Sequence, residues 1–304
     1  MRFDVTILGS NSAIPALKRN PTSQLVNVSD HYYLLDCGEG TQVQMRKYGI
    51  KFQRISCIFI SHLHGDHYFG LIGLLNTMHL LGRENEIHVF SPPGLQEIIE
   101  IQMKVAQGSF RFSVHFQELT SNELECIYND KFVQVSSVPV RHKIPTFGFI
   151  IEEKPRPRNI KKSFIQIHEP SILEIQSIKN GSDFELENGE IIPNDELLEP
   201  AHTTRKYSFI TDTKPSTSYL EAIKGSNLLY HEATFTIEFK SRAKETKHST
   251  ALQAGQVAAN AKVKKLIIGH FSSRFEDLEP LLNEAKEAFN DVELATEGSV
   301  FSVE

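Results

Sequence analysis

Cysteine is scarce: Cys37, Cys57 and Cys126 are the only three in 304 residues, odd in number and unrelated in spacing. That makes a disulfide framework improbable and all but excludes a thiolate zinc cluster, since both need paired, regularly spaced thiols. Cys57, inside an apolar stretch, reads as a small core residue. No apolar run reaches the ~18 residues that a membrane-spanning helix needs. Met1-Arg2-Phe3-Asp4 leads straight into a strand pattern, without the regions of a signal peptide. A cytoplasmic protein is expected. An excess of positive charge is missing too. The formal net charge of -6 argues against indiscriminate binding of nucleic acid, while leaving room for a local basic patch. What remains is the composition of an ordinary globular chain, long enough for one large domain or two and able to bury roughly 75% of its unfolded surface.

Against this plain background one segment stands out. Ser61-His62-Leu63-His64-Gly65-Asp66-His67 crowds four metal-binding side chains into six positions. Imidazole and carboxylate without thiolate suit zinc, manganese or iron better than calcium. The preceding run, Ile55 to Ile60, is apolar and rich in β-branched residues, so it predicts a buried strand that ends where His62 begins. From Phe69 to Leu81 the apolar residues recur at helical spacing. The four polar groups are therefore expected on a loop between strand and helix, where several side chains can address one point.

Strand-like runs at Phe3 to Leu8, Gln24 to Val28 and His31 to Leu35 precede this motif. Helical patterns follow at Thr41 to Tyr48 and Leu95 to Ala106, with strands at Ile87 to Phe90 and Phe132 to Val138. The second half repeats the mixture: strands at Tyr207 to Thr211, Asn227 to Tyr230 and Lys265 to Ile268, helices at Thr250 to Ala261 and Leu278 to Phe289. Such alternation predicts layered sheets with helices outside. Glu152 to His202 breaks the rhythm. It opens with five cations in nine residues, Lys154 to Lys162, continues with weak periodicity and carries a hairpin signal at Asn188-Gly189. It reads as a protruding arm, either a solvated loop and hairpin or a surface suited to a phosphate backbone.

A pair of metal ions about 3.5 to 4 Å apart needs more ligands than one motif supplies, including one that bridges. His142, Asp212 and His270 each follow a predicted strand, as His62 does. Taken singly, each has a plainer role as a strand-end residue or helix cap. Repeated placement at strand ends predicts that they converge at one edge of the sheets.

The order His-x-His-x-Asp-His, lone His, lone Asp, lone His resembles the metallo-β-lactamase fold, an α/β four-layer αββα sandwich. Leu35-Asp36-Cys37-Gly38-Glu39-Gly40-Thr41-Gln42, His231-Glu232-Ala233-Thr234, His248-Ser249-Thr250 and the loop Pro15 to Asn20 are more specific. They resemble the ribonuclease Z family, endonucleases that remove 3′ trailers from tRNA precursors and leave a 3′-hydroxyl on the tRNA and a 5′-phosphate on the trailer. The resemblance covers nearly the whole chain and looks like the family's short form, usually a homodimer. It implies one domain over residues 1–304 with a substrate-binding arm inserted at 152–202.

It further implies two zinc ions, with manganese or iron as substitutes. His62, His64 and His142 would hold one, Asp66, His67 and His270 the other, and Asp212 would bridge. Asp66 matches the family's proton acceptor. His248 is the candidate proton donor to the departing 3′ oxygen, with Glu232 orienting it. Lys18, Arg19 and Asn20, with Arg156, Arg158, Lys161 and Lys162 of the arm, are the candidate tRNA contacts. The arm reads His168-Glu169-Pro170 where the family carries a Gly-Pro pair. Two other readings share these residues: a hydrolase of small esters, sulfates or phosphodiesters, and a metal-stabilised RNA-binding protein without chemistry.

Overall fold

The computed structural model describes residues 2–304. In chain order the strands are β1 (Phe3–Gly9), β2 (Ser23–Val28), β3 (His31–Leu35), β4 (Ile55–Phe59), β5 (Ile87–Ser91), β6 (Val114–Glu118), β7 (Glu125–Asn129), β8 (Val133–Pro139), β9 (Phe147–Glu153), β10 (Phe184–Glu185), β11 (Ile191–Ile192), β12 (Lys206–Ile210), β13 (Leu228–Glu232), β14 (Lys265–Gly269), β15 (Val292–Leu294) and β16 (Val300–Ser302). They build two seven-stranded sheets, β16-β1-β2-β3-β4-β5-β6 and β15-β14-β13-β12-β9-β8-β7, and the small hairpin β10-β11.

Period-two alternation explains why the large sheets pack as they do. In the first sheet, Val5, Ile7, Val26, Tyr33, Leu35, Cys57 and Phe59 join a core shared with Val135, Phe149, Ile151 and Phe209 of the second. The intervening Leu8, Leu25, Leu34 and Ile58 face the other way, onto Leu71, Leu74, Leu75 and Met78 of the helix Leu71–Leu80 and Leu95 and Ile99 of the helix Leu95–Val105. Phe59 touches Phe149 across the sandwich at a ring separation of 5.4 Å. The second sheet carries the helices Ala251–Ala261 and Glu279–Lys286, whose Ala254, Ala258, Leu281 and Ala285 complete its packing. The result is the layered mixture of strands and helices that the sequence predicts.

Several boundaries differ from the sequence reading. The helix expected from Phe69 begins at Leu71, and a separate short helix, Gly65–Tyr68, precedes it. Asp66 and His67 therefore sit on a helical turn rather than a loop. The strand expected to stop at Tyr230 runs on to Glu232, because His231 and Glu232 pair with Ile268 and Gly269 of β14.

The chain divides into two compact units, Met1–Glu153 with Arg205–Glu304, and Lys154–Thr204. The second starts two residues beyond the expected Glu152, since Glu152 and Glu153 complete β9 and Glu152 pairs with Lys206 of β12. It contains the helices Lys162–His168 and Ile172–Lys179, and the latter opens on a capping box between Ser171 and Glu174. Its core is small: Ile160, Phe164, Ile178, Leu197 and Leu198. The hairpin lies where Asn188-Gly189 predicts it, with Gly189 at φ 83°, but its strands are only two residues long.

Candidate metal centre

Parallel strands align their carboxyl ends, and this chain uses that alignment to gather its site. β12, β13 and β14 are parallel neighbours, with Ile210 opposite His231 and His231 opposite Ile268. Asp212, Glu232 and His270 consequently emerge at one edge. β8 runs in the same direction as β12, because both are antiparallel to β9 between them, and it brings His142 to that edge. The first sheet delivers His62 there after β4, where the Phe147 amide donates to the Ser61 carbonyl at 2.9 Å and ties the two sheets together. Asp212 and His270 adopt the left-handed backbone, at φ 47° and 58°. Such conformations are uncommon for residues with a side chain and persist where the surroundings over-determine them.

Two clusters result with Asp212 facing both, and a third donor set, Asp212, His248 and His270, overlaps them. Asp212 Oδ1 lies 3.7 Å from His62 Nε2 and 3.8 Å from His142 Nε2, and its Oδ2 lies 3.2 Å from both His67 Nε2 and His270 Nε2. Within the first cluster, His64 Nδ1 is 2.9 Å from His62 Nε2 and 3.3 Å from His142 Nε2. His142 donates its Nδ1–H to the Lys247 carbonyl at 3.3 Å, which leaves Nε2 as a lone pair. Burial lowers all three imidazoles, His142 to about 4. Neutral rings whose lone pairs converge suit a cation.

The second cluster is richer in carboxylate. Asp66 Oδ2 lies 3.3 Å from His67 Nε2 and 3.6 Å from His270 Nε2, and accepts the Ala13 amide at 2.7 Å. His67 Nε2 and His270 Nε2 are buried without a hydrogen-bond partner. Burial alone would lower His67, but Asp212, Asp66 and Asp36 outweigh it and raise the ring well above its ordinary value. Three carboxylates around one ring call for positive charge, from a second ring proton or from a divalent ion in its place. The donor sets, His62, His64, His142 and Asp212 on one side and Asp66, His67 and His270 on the other, therefore fit metal.

Supporting groups fix these rings, and sequence reasoning assigns no role to most of them. Asp36 is fully buried; it receives the Ser61 amide at 2.7 Å, the Ser61 hydroxyl at 2.9 Å and His67 Nδ1 at 2.7 Å. His270 Nδ1 contacts Thr234 Oγ1 at 3.0 Å, and that hydroxyl donates to Glu232 at 2.6 Å. Asp36 and Thr234 both lie in the ribonuclease Z-like motifs, so the sequence marks their positions although not their roles.

Glu232 is buried beneath His248. One oxygen accepts His248 Nδ1 at 3.1 Å and the Thr213 amide; the other accepts the Thr234 hydroxyl and, at 3.0 Å, the Ser249 amide. Burial opposes protonation of His248, but the Glu232 carboxylate and its hydrogen bond prevail and raise the ring to about 9. The His248 ring stands beside the clusters, stacked 5.4 Å from that of His270.

A cavity of about 620 Å³ opens over the clusters. Its wall includes three cations that sequence reasoning missed, Lys143, Arg242 and Arg274. Arg274 packs over Phe235 and Phe239, at 5.3 and 4.9 Å from the ring centroids. Lys18, Arg19 and Asn20 do not line this cavity. Arg19 turns inward to Asn11 and the Phe275 carbonyl, Asn20 binds Glu297, and Lys18 is exposed. Arg156, Arg158, Lys161 and Lys162 belong to the second unit.

The chain is similar to known proteins along nearly its whole length. A family model described as Anti-Pycsar protein Apyc1 matches residues 3–155. Ribonuclease Z of Bacteroides thetaiotaomicron is 45% identical over 302 residues, covering 99% of this chain and 96% of that protein. The crystal structure of human tRNase Z, short form, superposes with a TM-score of 0.72 at 26% identity, covering 99% of both chains. The metallo-β-lactamase fold protein YhfI of Bacillus subtilis superposes at 0.69 with 17% identity, over 99% of this chain and 100% of that one. The chain belongs to the ribonuclease Z family, phosphodiester-hydrolysing endoribonucleases on the metallo-β-lactamase fold.

Proposed function

We propose that this chain is a dinuclear zinc endoribonuclease that cuts the 3′ trailer from tRNA precursors, leaving a 3′-hydroxyl on the tRNA and a 5′-phosphate on the trailer. The observation that carries the proposal is the pair of histidine and aspartate clusters that Asp212 faces with its two oxygens, with the His248–Glu232 pair beside them. His62, His64 and His142 would hold one ion and Asp66, His67 and His270 the other, with Asp212 between the two sets. Such a pair of ions supplies activated water and neutralises charge on the phosphate.

The protein's own groups do the rest. Asp66, fixed by the Ala13 amide, accepts a proton from the attacking water. His248, held charged by Glu232, donates its proton to the departing 3′ oxygen, a contribution of roughly 10² to 10⁴ in rate. Lys143, Arg242 and Arg274 give the cavity positive charge for the flanking phosphates. The unit Lys154–Thr204 supplies a second, cationic contact with tRNA. The working enzyme is a cytoplasmic homodimer; no helix among the described residues is long and apolar enough to cross a membrane.

The test is a release assay on a precursor with a 3′ extension, run beside a chromogenic diester, with metal content measured on the same samples. Trailer release that stops on chelation and returns with zinc supports the reading. Hydrolysis of the small diester alone makes the chain a small-molecule hydrolase, and metal-dependent retention of RNA without cleavage makes it a binding protein.

A further inference from the structure

Phe69 is an aromatic ring left in the open beside a reactive centre. It is 60% exposed and lines the cavity over the two clusters. Burying a phenylalanine is worth roughly 1.5 to 3 kcal/mol, so core packing does not account for this side chain. It belongs to none of the three apolar cores.

The ring nevertheless has a defined seat. It lies across Gly65 at the start of the helix Gly65–Tyr68, so closely that a Cβ on Gly65 would stand 2.1 Å from Phe69 Cε2. The Tyr68 ring meets it edge-on at 5.0 Å. A Cβ at 65 would displace the ring from this seat.

The walls of the cavity differ in character. The side of His248 carries Phe235, 6.2 Å from the imidazole, with Arg274 packed on it. The side of Asp66 carries the Ala13 loop, bound to that carboxylate, and exposes Ile14 and Phe69. On the proposed reaction, on which this inference rests, His248 serves the 3′ oxygen, so the last tRNA nucleotide lies toward His248. The phosphate stays with the trailer, whose first nucleoside is left the apolar wall.

We infer that Phe69 is a stacking platform for the base of the first trailer nucleotide. Every base has a π face, and stacking on an aromatic side chain is worth about 1 to 3 kcal/mol whatever the base. The Phe69 ring itself has no hydrogen-bonding group, so stacking on it does not select among bases. Phe69 is a binding residue that positions the nucleotide beyond the cut.

The experiment is a substrate and protein double cycle with zinc-loaded enzyme. Wild type and the variants Phe69→Ala, Phe69→Leu and Phe69→Tyr act on three precursors: intact, abasic at the first trailer nucleotide, and abasic at the last tRNA nucleotide. Phe69→Ala and Phe69→Leu lower kcat/KM on the intact precursor by about 5- to 150-fold, the kinetic equivalent of one stacked base. Phe69→Tyr retains wild-type rates. On the precursor abasic at the first trailer nucleotide, wild type loses the same factor and the variants lose nothing more. Wild type at full rate there overturns the inference without recourse to any variant. Equal losses on all precursors, or coupling to the last tRNA nucleotide instead, overturn it as well. Cleavage of the intact precursor by wild type is the control on which the proposed function stands, so the two failures are told apart.

Discussion

Asp36 Oδ2 lies 2.7 Å from His67 Nδ1, and the other oxygen of the same buried carboxylate is fixed by the Ser61 amide. One residue thus sets the orientation and tautomer of a ring at the centre of the second cluster while holding the chain that enters the histidine motif. Removing such a partner costs metal sites about 10- to 100-fold in affinity. Asp36→Asn, which keeps size and loses charge, is expected to weaken zinc binding by that factor. A competition titration against a chelator measures it; unchanged affinity would separate Asp36 from the metal.

His248 and Glu232 form the second pair with a consequence for turnover. His248→Ala is expected to lower kcat by roughly 10² to 10⁴, with zinc content unchanged. Glu232→Gln acts through the ring. The carboxylate favours the charged imidazole, so its loss lowers the ring's pKa, and the alkaline fall in kcat moves to lower pH. A variant that has simply lost its metal refutes the proton-donor role.

Arg205 and Glu153, the residues of the first unit that flank the second in sequence, form a buried ion pair. The guanidinium grips both carboxylate oxygens, at 2.8 and 2.9 Å, donates to the Val303 carbonyl at 3.1 Å and lies over the Phe3 ring. The side chains are only 13% and 4% exposed. Breaking a buried pair from one side costs about 3 to 5 kcal/mol. Arg205→Ala is expected near the lower end of that range, since Arg205 keeps some contact with solvent. Urea denaturation measures it, and Glu153→Gln/Arg205→Met should recover part of the loss.

The convergence of four of the centre's residues was legible in the sequence because each comes after an apolar, β-branched run that reads as a strand. His62, His142, Asp212 and His270 lie together for that reason, although more than two hundred positions separate the first from the last. Glu232 was harder to place, since pairing with Gly269 extends β13 into a segment whose polarity hides the strand. Arg19 and Asn20 have the composition of a surface contact, and only tertiary structure reveals that their polar ends are engaged with Asn11, the Phe275 carbonyl and Glu297. Lys143 and Arg274 come from two loops and Arg242 from the helix Lys240–Thr246, far apart in the chain, so no local pattern announces them. The helices of the second unit were missed because its core takes few apolar residues from segments far apart in the chain, which leaves little periodicity to read.

The cations at the start of that unit are not equivalent, and this makes the last prediction specific. Arg158 pairs with Asp195, whereas Lys162 is exposed on the first turn of the helix Lys162–His168. A cation that must exchange a carboxylate for a phosphate gains less than one that exchanges water. Neutralising Arg156, Arg158, Lys161 and Lys162 together is expected to raise KM for the tRNA precursor and leave hydrolysis of a small diester unchanged. For every phosphate that a cation no longer neutralises, the slope of log(kcat/KM) against log salt should flatten by about 0.7 to 0.9. Among the single variants, Lys162→Gln should then cost more than Arg158→Gln. Kinetics at several salt concentrations decide it: unchanged slopes remove this unit from substrate binding, and the reverse order of the two variants makes the Asp195 pair part of the contact surface.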